Sequence, residues 1–258
     1  MNHAGEARGH RARERAAAEM RREVRTSMSV AVKGSKRFRE SLKGVDLEKV
    51  YEIPEAIKVL KSFKPTKFDE TVEVAIRLNI DPKKTEQLIR GSIALPKGIG
   101  KEKKVICFAE GAKADEAKAA GATEVGGEDL AKKVLGGWTD FDVAIATPES
   151  MKFVGKLGRV LGPQGKMPTP KAGTVTEDVT TAVGEFRAGK IEFRTDAGGN
   201  IHAPVGKRSF PDESILQNVV ALVEHIRAAK PASVKGSFIA KVALSLTMSP
   251  RVQVNPGA

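Results

Sequence analysis

The chain has 258 residues and a formal net charge of +12, with one Trp, one Tyr and ten Phe. That length is enough for two domains with a sizeable core, and ordinary apolar content excludes a disordered polyelectrolyte. A lone cysteine, Cys107, excludes an internal disulfide and fits a reducing compartment. No apolar run approaches the roughly 18 residues of a membrane span. The positive charge favours a polyanionic partner, nucleic acid ahead of an anionic membrane surface. Sparse aromatics put the weight of such binding on charge and backbone shape.

Residues 1–27 stand apart, with seven Arg, no Lys and four Glu. Their glutamates argue against an acid-poor transit peptide, and they lack the apolar core of a secretory signal. Two readings stay open: a flexible basic extension, or translation that begins at Met28. Next, "IPEAIKVLKSF" reads as an amphipathic helix with Pro54 in its first turn and Ala56, Ile57, Val59, Leu60 and Phe63 on one side. "KFDETVEVAIRLNI" is the clearest strand. Val72, Val74, Ile76, Leu78 and Ile80 fall on one face, with Thr71, Glu73, Ala75, Arg77 and Asn79 on the other. One face should pack on a core while the other meets water or a ligand.

From about residue 98 the pattern changes. "KVICFA", "ATEVGG" and "FDVAIAT" read as strands, with helices at "AKADEAKAAG", "EDLAKKVLGG", "PESMKFVGKLGRVL" and "TEDVTTAVGEFRAG". Apolar strands alternating with helices indicate a parallel sheet covered on both faces. After Gly189, "KIEFRTDAGGNIHAPVG" reads as a hairpin turning at residues 197–200. A long helix follows over "PDESILQNVVALVEHIRAAK", and "SFIAKVALSLTMS" is the last strand.

The economical architecture is α/β with two domains. Residues 28–97 and 190–258 form a discontinuous α+β domain, mainly antiparallel sheet with helices. Residues 98–189 form an inserted Rossmann-like parallel domain. Gly98, Gly100 and Gly189, at the two crossings, are the hinge candidates. Charge separates the two. The insert holds thirteen basic and thirteen acidic residues, so the whole surplus lies elsewhere. The polyanion surface is therefore expected on the discontinuous domain.

Residues 158–173, "GRVLGPQGKMPTPKAG", invite comparison with a phosphate loop. A Walker A loop needs G-x-x-x-x-G-K-[ST]; here Met167 follows Gly165-Lys166, and Val160 stands where the first glycine belongs. A dinucleotide fingerprint is also absent, because "EGAKADEA" follows the first parallel strand. What remains is a window, 150 to 176, with Lys152, Lys156, Arg159, Lys166 and Lys171 and no acid. Two readings fit it: contact with a phosphate backbone, or a rigid Gly/Pro linker kept soluble by its cations.

The stretch "FVGKLGRVLGPQGKMPTPKAGTV" resembles the signature of the large-ribosomal-subunit protein L-one family, bacterial type. The likeness extends through "KFDETVEVAIRLNID", "RGSIALPKGIGK", "KIEFRTDAGGNIHAPVGK", "KPASVKGSF" and "TMSP", over residues 33 to 256. It implies a non-enzymatic, cytoplasmic component of the large subunit, monomeric off the ribosome, that needs no cofactor. Its partners would be the rRNA of the mobile stalk, exit-site tRNA whose release it assists, and its own mRNA as a repressor. The residues matching the family's RNA site are Lys67, Phe68, Thr71, Glu73, Thr247 and Met248. Arg159, Lys166 and Lys171 would form a secondary RNA or tRNA surface.

The chemistry of that set is coherent. Lys67 can meet phosphate, Thr71 and Thr247 can exchange hydrogen bonds with 2′-hydroxyls, and Phe68 and Met248 can pack on sugar or base faces. Glu73 is repelled by phosphate and is useful only against a donor. The family usually has Met-Gly-Pro where this chain has Met248-Ser249-Pro250. If that position needs a positive φ, serine would be strained by something like 1 kcal/mol. His3, His10, His202 and His225 have no ligand spacing, so no metal site is expected, and Cys107 should be a small buried hydrophobe. Two other classes stay open: a nucleotide-using enzyme on the parallel sheet, and a ribosome-independent RNA chaperone.

Overall fold

The computed structural model describes residues 35–257 apart from 44 and 47. The readings made for residues 1–27, and for a start at Met28, lie outside the described residues.

The protein is a mixed α/β fold with two separate main sheets. The larger has five strands in the order β1-β10-β9-β2-β8. These are β1 (Val50–Tyr51), β2 (Thr71–Leu78), β8 (Asn200–Lys207), β9 (Ile239–Leu246) and β10 (Val252–Val254). β2 runs antiparallel to both β8 and β9. Its alternation is realised in full: Val72, Val74, Ile76 and Leu78 are buried, whereas Glu73 and Arg77 are exposed. The buried row packs under α2 (Ile53–Ser62) and α8 (Asp212–Ala228). Pro54 lies in the first turn of α2, where its lack of a backbone N–H removes a donor that would otherwise have no partner. Asp212 and Glu213 complement the amino-terminal dipole of α8. With both helices on one face, the opposite face stays open. α1 (Lys36–Lys43) buries none of its residues.

The second sheet is parallel, in the order β5-β4-β6. It comprises β4 (Val105–Phe108), β5 (Glu124–Gly126) and β6 (Val143–Ala146). They alternate with α3 (Ala112–Ala119) and α4 (Glu128–Leu135), and α7 (Val179–Ala188) closes the layer. Successive residues of β4 point into different cores. Ile106 and Phe108 join Leu130, Val134 and Leu157, while Val105 and Cys107 join Val179, Val183 and Phe186. A continuous apolar strand is thus explained by cover on both faces.

Four features differ from the sequence reading. The 191–207 segment does turn at 196–200, where Asp196 N–H donates to Asn200 C=O at 2.8 Å. Its arms nevertheless join different sheets: β7 (Ile191–Arg194) pairs with β3 (Arg90–Ile93), a strand not read from the sequence, and β8 pairs with β2. β9 is not the last strand, because β10 follows and pairs with both β9 and β1. The helix expected over "PESMKFVGKLGRVL" is broken into α5 (Met151–Val154), a 3₁₀ turn (Gly155–Leu157) and α6 (Gly158–Leu161). Glycines at 155 and 158 weaken it, while Val154, Leu157 and Leu161 remain buried. Finally, Ser249 is unstrained, because no described non-glycine residue has a positive φ. Its hydroxyl accepts from Leu246 N–H at 2.9 Å and donates to Pro250 C=O at 2.9 Å, closing the turn that glycine would otherwise make.

Between the sheets the chain crosses twice, side by side. Gly98, Gly100 and Gly189 have φ of 61°, 72° and 110°. A Cβ on Gly98 would lie 2.9 Å from Ala188 C=O, and one on Gly189 would lie 3.1 Å from Ile99 N. Glycine is required on both counts. The fully buried Asn218 pins the outgoing strand by accepting from Lys97 N–H (3.1 Å) and donating to Gly98 C=O (2.9 Å) and Val205 C=O (2.7 Å).

Candidate nucleic-acid interface

The open face of the five-stranded sheet presents polar rows set by strand register. Lys207 stands opposite Thr71, and Glu73 lies between Pro204 and Ser245. Ala75 lies between His202 and Ala243, and Arg77 between Asn200 and Lys241. At the top of this face the ends of β2 and β9 are stitched together. Thr71 N–H donates to Thr247 Oγ1 at 3.0 Å, and Thr247 N–H donates to Thr71 C=O at 3.1 Å. Lys207 Nζ donates to Thr71 Oγ1 at 2.8 Å.

Beside this pair stand two large apolar side chains with no cover. Phe68 and Met248 are each 54% exposed. A Phe at the mouth of a strand is ordinarily buried; here both side chains lie outside the core. The segment carrying Lys67 and Phe68 is held rigidly. The Glu70 carboxylate, 2% exposed, pairs with Arg208 Nη1 at 2.9 Å. Arg208 Nη2 also donates to the carbonyls of Lys61 and Phe63. Asp69 accepts from Ser209 N–H (3.2 Å) and Ser209 Oγ (2.7 Å). Thr66 Oγ1 donates to Phe68 C=O at 2.7 Å. From the other side, Arg37 Nη2 donates to Met248 C=O at 3.3 Å, which draws basic α1 alongside.

All six residues named from the sequence for this face therefore gather at one end of one sheet. Lys67 and Glu73 are exposed, and their side chains make no hydrogen bond or ion pair with another described residue. Lys207 and Arg37 stand at this end of the sheet, while Arg77 and Lys241 lie on the same open face at the far end of β2. Alternation along β2 already put Arg77 on the open face, but the cross-strand partners required the register.

The acid-free loop divides differently. Arg159 and Lys171 are exposed. Lys166 is half-buried, its ammonium donating to Thr139 C=O at 2.9 Å and lying 5.0 Å from the Phe141 ring centre. That cation is engaged in fastening the loop, so the exposed charge of the loop comes from its neighbours. Thr174 Oγ1 accepts from Thr169 N–H (2.8 Å) and donates to Thr169 C=O (3.1 Å), tying the loop into a closed turn.

In a parallel sheet of this kind a nucleotide sits at the carboxyl ends of the strands. There Thr147 and Ser150 are buried and hydrogen bonded to each other at 2.9 Å, and Glu110 follows β4. Burial pushes the Cys107 thiol up to about 12, so it remains protonated and inert. Among the described residues no three His, Cys, Asp or Glu side chains gather as a metal site.

Residues 60–250 match the model of the ribosomal protein L1p/L10e family. The protein named large ribosomal subunit protein uL1 from Thermosipho africanus is 56% identical over 225 residues, covering 87% of this chain and 97% of that one. Its namesake from Thermosipho melanesiensis is 54% identical over the same shares. The one from Kosmotoga olearia is 51% identical over 86% of this chain and 96% of its own. A match across the folded body, with relatives more than half identical along nearly their whole length, shows that the chain belongs to the ribosomal protein L1p/L10e family.

Proposed function

We propose that this protein is a non-catalytic component of the bacterial large ribosomal subunit that grips the rRNA of the mobile stalk. Its grip would be the stitched end of the five-stranded sheet. The observation that carries this reading is the pair of uncovered apolar side chains, Phe68 and Met248, flanking the hydrogen-bonded Thr71 and Thr247. Lys67 supplies charge for a phosphate, the threonines address sugar hydroxyls, and Glu73 addresses a donor such as a guanine amino group. The distribution of charge supports the same face, since residues 98–189 are neutral as a set within a chain of net charge +12.

In this reading residues 28–97 with 190–258 are the anchor, and 98–189 are a second arm that swings with the stalk. The swing is confined to a short stretch. Asn218 holds residues 97 and 98 to the anchor. Asp142 holds the other side, accepting from Lys101 Nζ at 3.2 Å and Lys104 N–H at 3.1 Å. Ile99 and Gly100 lie between the two. On the return, Gly189 closes α7 in a left-handed conformation. Arg159 and Lys171 are among the exposed cations of the arm and would meet exit-site tRNA or neighbouring rRNA, assisting release of deacylated tRNA. Repression of the protein's own mRNA would use the anchor's RNA face on a stalk-like structure. Both roles rest on family membership.

The test is binding to a transcript of the large-subunit rRNA stalk. Phe68→Ala or Met248→Ala should weaken binding by about 1–3 kcal/mol, roughly five- to 150-fold, if each packs on a base. Both should leave the melting temperature unchanged. Lys67→Ala should flatten the salt dependence by about one phosphate contact. Unaltered affinity in all three would refute the assignment.

A further inference from the structure

The stitched strand end contains a residue whose part the interface alone does not explain. Lys207 ends β8, stands in register with Thr71, and is half-buried. Its ammonium donates to Thr71 Oγ1 at 2.8 Å. We infer that Lys207 is a positioning residue: it fixes the direction in which the Thr71 hydroxyl donates, so that Thr71 and Thr247 together present one donor and one acceptor to a ribose 2′-hydroxyl. This rests on the proposed RNA face.

The argument is a count of protons and lone pairs. A lysine ammonium has three donors and no acceptor, so Thr71 oxygen must accept from it. One lone pair is thereby occupied, and the hydroxyl proton is left to point elsewhere. An ionised donor also polarises the oxygen it binds, which strengthens the next hydrogen bond in the chain. Thr247 has the opposite bias. Its oxygen accepts from Thr71 N–H at 3.0 Å, and its own proton turns back toward Thr71 C=O at 3.4 Å. With the proton directed inward, its second lone pair remains outward. A donor thus stands beside an acceptor.

The group that satisfies both at once is another hydroxyl, which accepts from Thr71 and donates to Thr247. A phosphate oxygen can only accept, and a deoxyribose lacks the 2′-hydroxyl that both donates and accepts. Side-chain hydroxyls ordinarily rotate to suit their ligand; here Lys207 removes that freedom on one side and the backbone of β2 removes it on the other. The pair is therefore built to recognise ribose, with Lys207 acting through Thr71 rather than on the RNA itself.

The test is a double-mutant cycle on the full-length protein, with Lys207→Met, Thr71→Val and both together. Each is titrated with the stalk rRNA transcript at several salt concentrations, and with the same RNA carrying 2′-deoxy substitutions in its protein-binding region. Lys207→Met should lower affinity for the ribose form by about three- to tenfold, the worth of one hydrogen bond. It should shrink the ribose-over-deoxyribose preference and leave the salt slope intact. The double variant should be no weaker than Thr71→Val alone. Lys207→Arg, which keeps a charged donor, should restore most of the preference.

Three results would overturn the inference. If Lys207→Met flattens the salt slope by about one phosphate and its loss adds to that of Thr71→Val, the lysine touches phosphate directly. If Lys207→Met does not fold, Lys207→Arg carries the test, and loss of the ribose preference in that folded variant would contradict it. If Thr71→Val binds as tightly as the parent, the RNA face itself is misassigned and the inference falls with it.

Discussion

Replacing Arg208 by Met tests whether the Glu70–Arg208 pair holds the RNA-facing segment in place. Glu70 is 1% exposed, and its carboxylate meets Arg208 Nη1 at 2.9 Å. Arg208 also serves the carbonyls of Lys61 and Phe63. Removing the guanidinium leaves a charge and two carbonyls without their donors. Truncating one member of such a buried pair destabilises by about 3–5 kcal/mol, a large share of the 5–15 kcal/mol that keeps a domain folded. The melting temperature should fall by roughly 10 °C or more. Replacing both partners, Glu70→Leu with Arg208→Met, should regain most of the loss, because no unpaired charge then remains buried. The chain reports on its two sheets separately. Tyr51, its only tyrosine, is in β1, and Trp138, its only tryptophan, packs beside the parallel sheet. Urea unfolding followed at both wavelengths should show Arg208→Met shifting the tyrosine transition well ahead of the tryptophan one. RNA affinity should fall too, since Lys67 and Phe68 lose their frame. A melting temperature within about 1 °C of the parent would refute the reasoning.

Other outcomes follow from the same geometry. Gly189→Ala places a Cβ at φ 110°, 3.1 Å from Ile99 N and 3.3 Å from Gly98 Cα; calorimetry should show a loss of about 1–3 kcal/mol. Cys107, with its thiol pushed to about 12 by burial, should resist a thiol reagent at pH 8 in the folded protein and react at once in urea. Burial alone would raise the Asp142 carboxyl. The Lys104 N–H, the hydrogen bond from Lys101 and the charges of Lys101 and Lys166 outweigh it and hold the group below the usual carboxylate range. A depressed folded pKa contributes stability above the ordinary carboxylate range that is lost as pH falls through the folded value. The melting difference between parent and Asp142→Asn should therefore narrow in acid, and a constant difference would contradict it.

Much of this arrangement was legible in the chain. β2 announced itself because one buried face forces strict alternation, and β4 because two buried faces forbid it. Placement of Thr71 and Glu73 on the open face followed from the same period. β1, β3 and β10 are too short to show a period, and they also lack the continuous apolar run that marks β4 and β6. The divided hairpin escaped because local turn chemistry at 196–200 is satisfied whichever sheets its arms join. Long-range stitching was invisible: Thr71 and Thr247 lie 176 residues apart, and nothing near Lys207 names its partner. The anchoring of Lys166 was invisible for a related reason, since composition reports a cation but not the carbonyl it meets. The Ser249 strain anticipated from the missing glycine also dissolved, because a serine hydroxyl can close that turn through hydrogen bonds.

The most direct test of the account is to photo-crosslink the intact protein to stalk rRNA and map the attached residues by mass spectrometry. The account expects attachment at the Phe68 and Met248 end of the five-stranded sheet, with any sites on residues 98–189 confined to the surface around Arg159 and Lys171. Attachment only within 98–189, with that sheet end untouched, would contradict it.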